Sequence, residues 1–306
     1  MRLHWVVGVL GVMMVAVADA GSAQEHAVAL VTQVPGGTRA AAMGNAYALA
    51  LADADAVFYH PGLLDTARGM GGSLARWGSG STLVSVSAAA EWLRGGVGLG
   101  VQSLSWGSPS TATGVFARGE AGLGESGDVG GAEHAITAAY ARSLFGFRIG
   151  IAGRLIDSRL ASERDLTAAA DIGLARSIGP VVVGLTARNI GRDPAFDAFD
   201  AELPTSITLG GGTRSTPIGP LDLNAAASTS WMRGERWSAG GGLEVSWWPI
   251  AGRTFIARAG YRWVDDSDLR PLTVGAGFTG DRIAVDWAFQ DVDDGDGVHR
   301  VSLRFR

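Results

Sequence analysis

The sequence predicts an all-β protein: an outer-membrane antiparallel β-barrel of about 14 strands with a small N-terminal hatch segment. Three observations support this fold class. They are an export signal at the start, short segments after about residue 70 that alternate apolar with small or polar residues, and turns of Gly, Pro and Asp between those segments. Such two-faced strands suit a sheet with lipid on one side and a small or wet interior on the other.

The first element is a secretory signal peptide over residues 1–23. Arg2 provides a short positive start, Val6–Val17 is continuously apolar, and small residues follow it. A membrane anchor helix is the alternative, but the apolar run is about 12 residues long and a helix needs roughly 20 to span a bilayer. We therefore expect a hatch segment over residues 24–69 and a transmembrane barrel over residues 70–306.

Composition excludes several classes of function. The chain has no Cys, and all 25 basic residues are Arg, so a thiolate nucleophile, a P-loop lysine and a Schiff-base lysine are ruled out. The net charge of -5 argues against a nucleic-acid partner, because phosphate recognition requires a basic surface. We expect no enzymatic activity and no catalytic, cofactor or metal site. The acidic run at residues 291–296 resembles a calcium loop only weakly and is read as a solvated outer hairpin, with loose bridging to lipopolysaccharide through a divalent cation as the alternative.

The strands of the barrel are predicted from period-two alternation and from the turns that separate them. The expected ranges are 70–78, 82–92, 95–106, 133–144, 146–157, 165–177, 180–190, 204–213, 219–232, 236–248, 253–264, 270–279, 281–291 and 297–305. Every second connection is tight, as at Leu93–Arg94 and Phe145–Gly146, whereas the longest connections lie at the other end. Bacterial outer-membrane barrels have this alternation of short periplasmic turns and longer outer loops.

Tryptophan placement supports the same architecture. Eight indoles lie near the ends of predicted strands, where headgroup-level girdles are expected: Trp77, Trp92, Trp106, Trp231, Trp237, Trp247, Trp248 and Trp263. The apolar side chains that face lipid in the closing hairpin are then the odd-numbered ones: Ile283, Val285, Trp287 and Phe289.

Charged residues of the last strands have the opposite, inward parity. These lumen charges are Glu244, Arg258, Arg262, Arg282, Asp286, Arg300 and Arg304. We expect them to pair with one another in a filled barrel, because an unpaired charge in a narrow interior is costly. Selection of a substrate by these charges is the alternative. Glycines inside the strands leave room for a plug or for the close approach of a ligand.

The segment before the first strand is Ala-rich, carries little charge and is too small to fold alone, so we expect it to lie in the lumen. It resembles the N-terminal part of the FadL-like superfamily of outer-membrane barrels, which includes long-chain fatty acid and hydrophobic-compound transporters and the PorV/PorQ proteins. His60 stands where the family has Asn. The predicted hatch motif is Arg39, Met43, Gly44, Tyr47, Asp53, Asp55, Tyr59, His60, Pro61 and Gly62, and Leu63 also matches.

The resemblance implies a non-enzymatic barrel of the bacterial outer membrane that transports or captures hydrophobic small molecules. A PorV/PorQ-like role in protein secretion or cargo anchoring is the alternative, and a purely structural barrel is a third possibility. The expected partners are outer-membrane lipid and lipopolysaccharide, a hydrophobic ligand or secreted cargo, and the barrel-assembly machinery. The barrel-assembly machinery is expected because the C-terminal alternation of Val301, Leu303 and Phe305 is similar to the terminal strand that this machinery recognises.

Overall fold

The structure, a computed structural model, describes residues 26–27, 29–46, 53–77, 80–106, 131–160, 163–196, 201–234, 236–264, 269–292 and 297–305. The predicted signal peptide lies outside these residues. Fourteen antiparallel strands form a closed barrel, which confirms the predicted fold class. The strands are β1 (Gly69–Arg76), β2 (Thr82–Trp92), β3 (Gly95–Trp106), β4 (Gly131–Leu144), β5 (Phe147–Leu160), β6 (Glu163–Ile178), β7 (Val181–Gly191), β8 (Ser206–Thr213), β9 (Leu221–Met232), β10 (Arg236–Ile250), β11 (Arg253–Val264), β12 (Leu269–Thr279), β13 (Ile283–Val292) and β14 (Val298–Phe305).

The barrel has the simplest possible topology. Each strand pairs with the next in the chain, and β14 pairs with β1 through the register Phe305↔Met70. Closure satisfies the hydrogen-bonding groups of both terminal strands, so the sheet has no open edge. Three short strands lie outside this order: Ala201–Glu202, which pairs in parallel with His26–Ala27, and Thr216–Ile218, which pairs with the start of β9.

Tight turns join alternate strands at one end of the barrel, as the sequence predicts. At Leu93–Arg94 both residues have positive φ, 47° and 61°, and at Phe145–Gly146 the values are 53° and 78°. This conformation suits two-residue hairpins because its twist matches that of the paired strands. We call this the turn end and the opposite one the loop end. At the loop end, β5 and β6 extend further than predicted: they end at Leu160 and begin at Glu163, so only two residues separate the two strands.

Side chains alternate between the two faces as the period-two pattern predicts. In β13, Trp287 is 38% exposed, whereas Asp286 is 1% exposed. The outward residues form an apolar belt, which is the surface that lipid contacts in a membrane-spanning barrel. The prediction is wrong for two tryptophans: Trp77 and Trp106 are each 3% exposed and point into the barrel. Both continue the inward alternation of their strands after Ala75 and Leu104, so parity and not nearness to a strand end determined their direction.

The interior is filled, and much of the filling is apolar. A loop-end cluster includes Leu30, Val31, Trp77, Leu104, Trp106, Ile156 and Leu203. A turn-end cluster includes Val57, Phe58, Leu63, Leu64, Ala139, Ala152 and Val182. Both clusters combine wall residues with residues that precede β1. The interior is therefore a packed core at both ends, although the two-faced strands are equally compatible with a wet interior.

The chain before β1 lies inside the barrel. Its described part, residues 29–46 and 53–68, is called the luminal segment below. The segment contains one α-helix, α1 (Thr38–Ala42), and three short 3₁₀ helices at Leu30–Thr32, Ala54–Phe58 and Pro61–Asp65. Among the residues that the structure describes, no helix is long and apolar enough to cross a membrane.

Candidate functional site inside the barrel

The residues of the predicted hatch motif occupy defined positions in the luminal segment. Arg39 lies in α1, and Met43 and Gly44 follow that helix. Asp53 caps the helix Ala54–Phe58 by accepting a hydrogen bond of 3.2 Å from the backbone N–H of Asp55. The remaining described members lie in or beside the two 3₁₀ helices near β1: Asp55, Tyr59, His60, Pro61 and Gly62. Tyr47 lies outside the described residues.

Arg39 joins the luminal segment to the barrel wall. Its guanidinium donates two hydrogen bonds to Glu244 of β10, from Nε to Oε2 at 2.9 Å and from Nη2 to Oε1 at 2.7 Å. The same carboxylate accepts bonds from Arg258 at 2.6 Å and from Asn224 at 2.9 Å. Two-point contact with a carboxylate fixes the guanidinium geometrically, so Arg39 holds α1 in a defined orientation.

The charges continue from Glu244 around the wall and return to the segment. Arg258 donates to Asp286 at 2.7 Å, and Asp286 accepts from Arg304 at 2.6 Å. Arg304 also donates to Asp53 of the luminal segment at 2.7 Å. The resulting ion chain is Arg39, Glu244, Arg258, Asp286, Arg304 and Asp53. It begins and ends on the luminal segment and contains equal numbers of the two charges, so each buried ion has an opposite partner.

The remaining predicted lumen charges have different positions. Arg262 and Arg300 are buried and inward-facing, at 8% and 2% exposure. Arg282 is a correction: it lies in an exposed bend before β13, which begins at Ile283. The alternation of faces holds only within a strand. Extending the predicted strand to residue 281 therefore assigned Arg282 to the lumen wrongly.

Asp55 is a second polar contact between the segment and the wall. The Ser87 hydroxyl of β2 donates a hydrogen bond of 2.6 Å to its carboxylate. Burial and, to a smaller extent, the negative charge of Asp53 raise the pKa of Asp55 to about 7, and the Ser87 bond opposes this shift. Nearby, the backbone N–H of Gly37 donates to the Tyr59 hydroxyl at 2.9 Å, and burial raises the pKa of Tyr59 to about 12.

Glycines of the wall provide the space in which the segment lies. A Cβ added at Gly98 would lie 2.8 Å from the Leu64 side chain, and one added at Gly242 would lie 2.6 Å from Cα of Met43. These separations are shorter than van der Waals contact, so larger residues at these positions would displace the segment. Of the two uses the sequence suggests for strand glycines, close packing of a plug is the one seen here.

His60 is also enclosed by glycines of the barrel wall. Cβ atoms at Gly173 and Gly184 would lie 2.7 and 2.8 Å from its Nδ1 and Nε2 atoms. Neither ring nitrogen has a hydrogen-bond partner in the described structure, and the residue is 1% exposed. Burial lowers the pKa of His60 to about 4, so the imidazole is neutral at physiological pH.

A further set of anchors was missed by the sequence analysis. Glu133 of β4 accepts backbone N–H bonds of 2.8 Å from both Ala29 and Val31. Arg154 of β5 donates to Asp171 of β6 at 2.8 Å. These wall residues lie at the inward-facing positions of their own strands, as the predicted lumen charges do in theirs. Applying the parity rule to the middle strands as well as to the last ones would have identified them.

Comparison with known proteins shows similarity of structure. The chain matches no protein-family model and no curated protein sequence. It is similar to the Pseudomonas putida toluene transporter TodX, with a TM-score of 0.57 and 12% identity over 90% of this chain and 97% of that one. It is also similar to the CymD monoaromatic hydrocarbon channel (TM-score 0.57, 11% identity, 89% and 98% coverage) and to a Pseudomonas aeruginosa FadL homologue (0.55, 10%, 88% and 97%).

The fold and the luminal site together define a class of protein. The chain forms a membrane-spanning barrel of the FadL-like fold, with 14 strands and an N-terminal segment inside them. Its closed sheet and apolar outer belt place it in the bacterial outer membrane. The similar structures named above are channels and a FadL homologue, so the PorV/PorQ alternative gains no support from them.

Proposed function

We propose that this barrel carries small hydrophobic molecules across the outer membrane, with the luminal segment as a movable hatch. The observation that carries the proposal is the way in which the segment fills the barrel. Apolar clusters at both ends of the lumen contain side chains of the segment and of the wall. A hydrophobic molecule that displaces part of the segment can take over the apolar contacts of these clusters.

The described contacts between segment and wall are releasable. Ion pairs and side-chain hydrogen bonds hold it at Arg39, Asp53, Asp55 and Asp65, Glu133 binds its backbone at Ala29 and Val31, and apolar packing adds to these contacts. Such contacts can break and re-form as a unit moves, which suits a hatch. The similarity in fold to proteins described as a toluene transporter and a monoaromatic hydrocarbon channel supports the same interpretation.

A reversible lock tests the proposal. The chain has no Cys, so Ala42→Cys combined with Gly275→Cys introduces a single candidate disulfide. A Cβ at Gly275 would lie 2.5 Å from Cβ of Ala42, and a shift of about 1 Å brings the pair into the usual range for a disulfide. The measurement is uptake of radiolabelled toluene by cells that make the barrel, compared with cells that do not.

We expect the oxidised double variant to reduce uptake to the level of cells without the barrel and a reducing agent to restore it. Gly275→Cys alone is the control, because it adds the wall substitution without the bridge. Equal uptake by the locked and reduced forms would contradict a moving hatch. Equal uptake by cells with and without the wild-type barrel would contradict the transport function itself.

A further inference from the structure

The six connections at the turn end of the barrel share a pair of exposed residues. At each connection lies a large apolar side chain that is at least 46% exposed, with an exposed arginine within four residues of it. The apolar residues are Leu93, Phe145, Ile178, Ile218, Ile250 and Ile283, and the arginines are Arg94, Arg142, Arg176, Arg214, Arg253 and Arg282. Turns that lie in water favour small and polar residues, so the repeated apolar side chain calls for a different environment.

The arginines of the turn end have few negative partners within the protein. Among the residues that the structure describes, one exposed turn-end arginine forms a salt bridge, between Arg68 and Glu91 at 3.2 Å. Arg214 donates a hydrogen bond of 3.0 Å to the Ser177 hydroxyl, which supplies no negative charge. The turn end therefore presents a ring of positive charge to its surroundings.

The loop end treats its arginines differently. Five exposed arginines there each form a salt bridge with a carboxylate of the protein, at 3.8 Å or less: Arg159, Arg164, Arg192, Arg233 and Arg270. The contrast within one molecule shows that the lack of carboxylates at the turn end is a local property of that surface. Counter-ions for the turn-end ring have to come from outside the protein.

Tryptophans mark the level of the membrane surface at the turn end. Trp92, Trp247 and Trp248 are 57%, 48% and 49% exposed, and they lie beside Leu93 and Ile250. Indoles prefer the level of the lipid headgroups, so the neighbouring arginines lie close to lipid phosphates. Short turns form the periplasmic side of bacterial barrels, and the leaflet on that side consists of phospholipids.

We propose that the turn end is a binding surface for anionic phospholipids, with its arginines on the phosphates and its apolar residues in the interfacial layer. A guanidinium binds a phosphate by two-point contact. Cations combined with exposed apolar side chains are typical of surfaces that lie in a membrane interface. The pair recurs at all six connections around the barrel, as contact with lipid requires, whereas a protein partner would cover one side. The inference does not depend on which molecule the barrel transports.

The preference of the barrel for two phospholipids tests this proposal. The full detergent-solubilised barrel is titrated with phosphatidylglycerol or with phosphatidylcholine of the same acyl chains, and native mass spectrometry counts the bound lipids. We expect the wild type to prefer phosphatidylglycerol, because the choline group offsets the phosphate charge of the other lipid. Arg94→Gln combined with Arg142→Gln and Arg176→Gln should weaken phosphatidylglycerol binding by roughly fivefold per arginine, the effect of one basic residue near an anionic membrane surface.

The matched control removes the same charge from the loop end. It combines Arg159→Gln, Arg164→Gln and Arg192→Gln, three arginines that already have carboxylate partners, and it should retain the wild-type preference. Heat-modifiable migration in electrophoresis verifies that each variant is a folded barrel.

Three results would overturn the inference. Equal affinity of the wild type for the two lipids is the first. The second is an equal loss in the two triple variants, because the preference would then follow total charge and not the turn end. The third is unchanged phosphatidylglycerol binding in the turn-end variant, which would favour a protein as the occupant of this surface. All three leave the proposed transport function standing, because uptake of hydrophobic molecules is measured separately.

Discussion

Arg39 and Asp53 show what single residues contribute to this barrel. Each is a charged residue in an otherwise Ala-rich segment, and each finds its counter-ion on the wall, at 2.7 Å in both cases. Removal of either residue takes one of two ion-pair partners from its counter-ion, because Glu244 keeps Arg258 and Arg304 keeps Asp286. The two residues therefore determine how the segment is oriented as well as how firmly it is held.

His60 makes the packing of the segment sensitive to pH. Its pKa is about 4 in the folded protein, against an ordinary value of 6.5. Between these values the unfolded form binds a proton and the folded form does not, so stability falls as the pH drops from about 6.5 to about 4. The full effect is on the order of 3 kcal/mol.

We expect His60→Asn to remove this pH dependence, because Asn does not titrate. Protection factors from amide hydrogen exchange at residues 54–65, which correct for the slower chemical exchange at low pH, measure the effect: protection should fall from pH 7 to pH 5 more in the wild type than in the variant. Asp55 acts in the opposite direction, because its raised pKa makes its contribution fall as the pH rises towards 7. The difference between the two proteins isolates His60, and an identical pH response in both would refute its role.

At the scale of secondary-structure elements, the wall strands are shaped to receive the segment. Strand β5 shows this on its two faces. Gly150 points inwards, and a Cβ there would overlap the backbone at Pro61 and Gly62, whereas a Cβ at Gly153 would have no neighbour within 4 Å. Glycine in a strand normally lowers stability. Here the inward Gly150 allows the backbone of β5 to approach the backbone of the segment closely. The outward Gly153 has no such neighbour.

The substitution Gly150→Val should displace the 3₁₀ helix Pro61–Asp65 while the barrel itself still folds. Overpacking of this kind costs about 1–3 kcal/mol, and the displaced segment should become sensitive to protease. The matched control is Gly153→Val in the same strand, which should remain resistant. Limited proteolysis followed by mass spectrometry distinguishes the two. Equal resistance of both variants would show that the segment tolerates a larger wall residue.

At the scale of the whole molecule, the barrel presents apolar side chains outwards and buries its ions. Ile151, the fifth of the 14 residues of β5, is 59% exposed, and Arg154 in the same strand is 2% exposed and paired with Asp171. This distribution is the reverse of that in a soluble protein. It is stable only when lipid covers the outer face.

A charge on the lipid face should destabilise the barrel in a way that depends on depth. We expect Ile151→Arg to cost about 2–4 kcal/mol and Leu144→Arg, at the turn end of β4, about 0–1 kcal/mol. Denaturant unfolding in phospholipid vesicles measures both values. Equal costs at the two positions would contradict the assignment of this face to lipid.

The sequence by itself determined the number of strands, most of their limits and the face on which most side chains lie. Alternation and turn chemistry are local properties, so they can be read without knowing which strand pairs with which. The resemblance in the hatch motif also indicated that the segment belongs in the lumen.

Only the tertiary structure decided which groups meet. Parity places Glu244 and Arg300 on the same inward face, but the first pairs with Arg39, more than 200 residues away in the chain, and the second has no acceptor for two of its nitrogens. Arg282 lies next to a strand end, where alternation stops specifying direction. Partners in a barrel are set by the register of strands and the position of the plug, and both result from packing over long sequence distances.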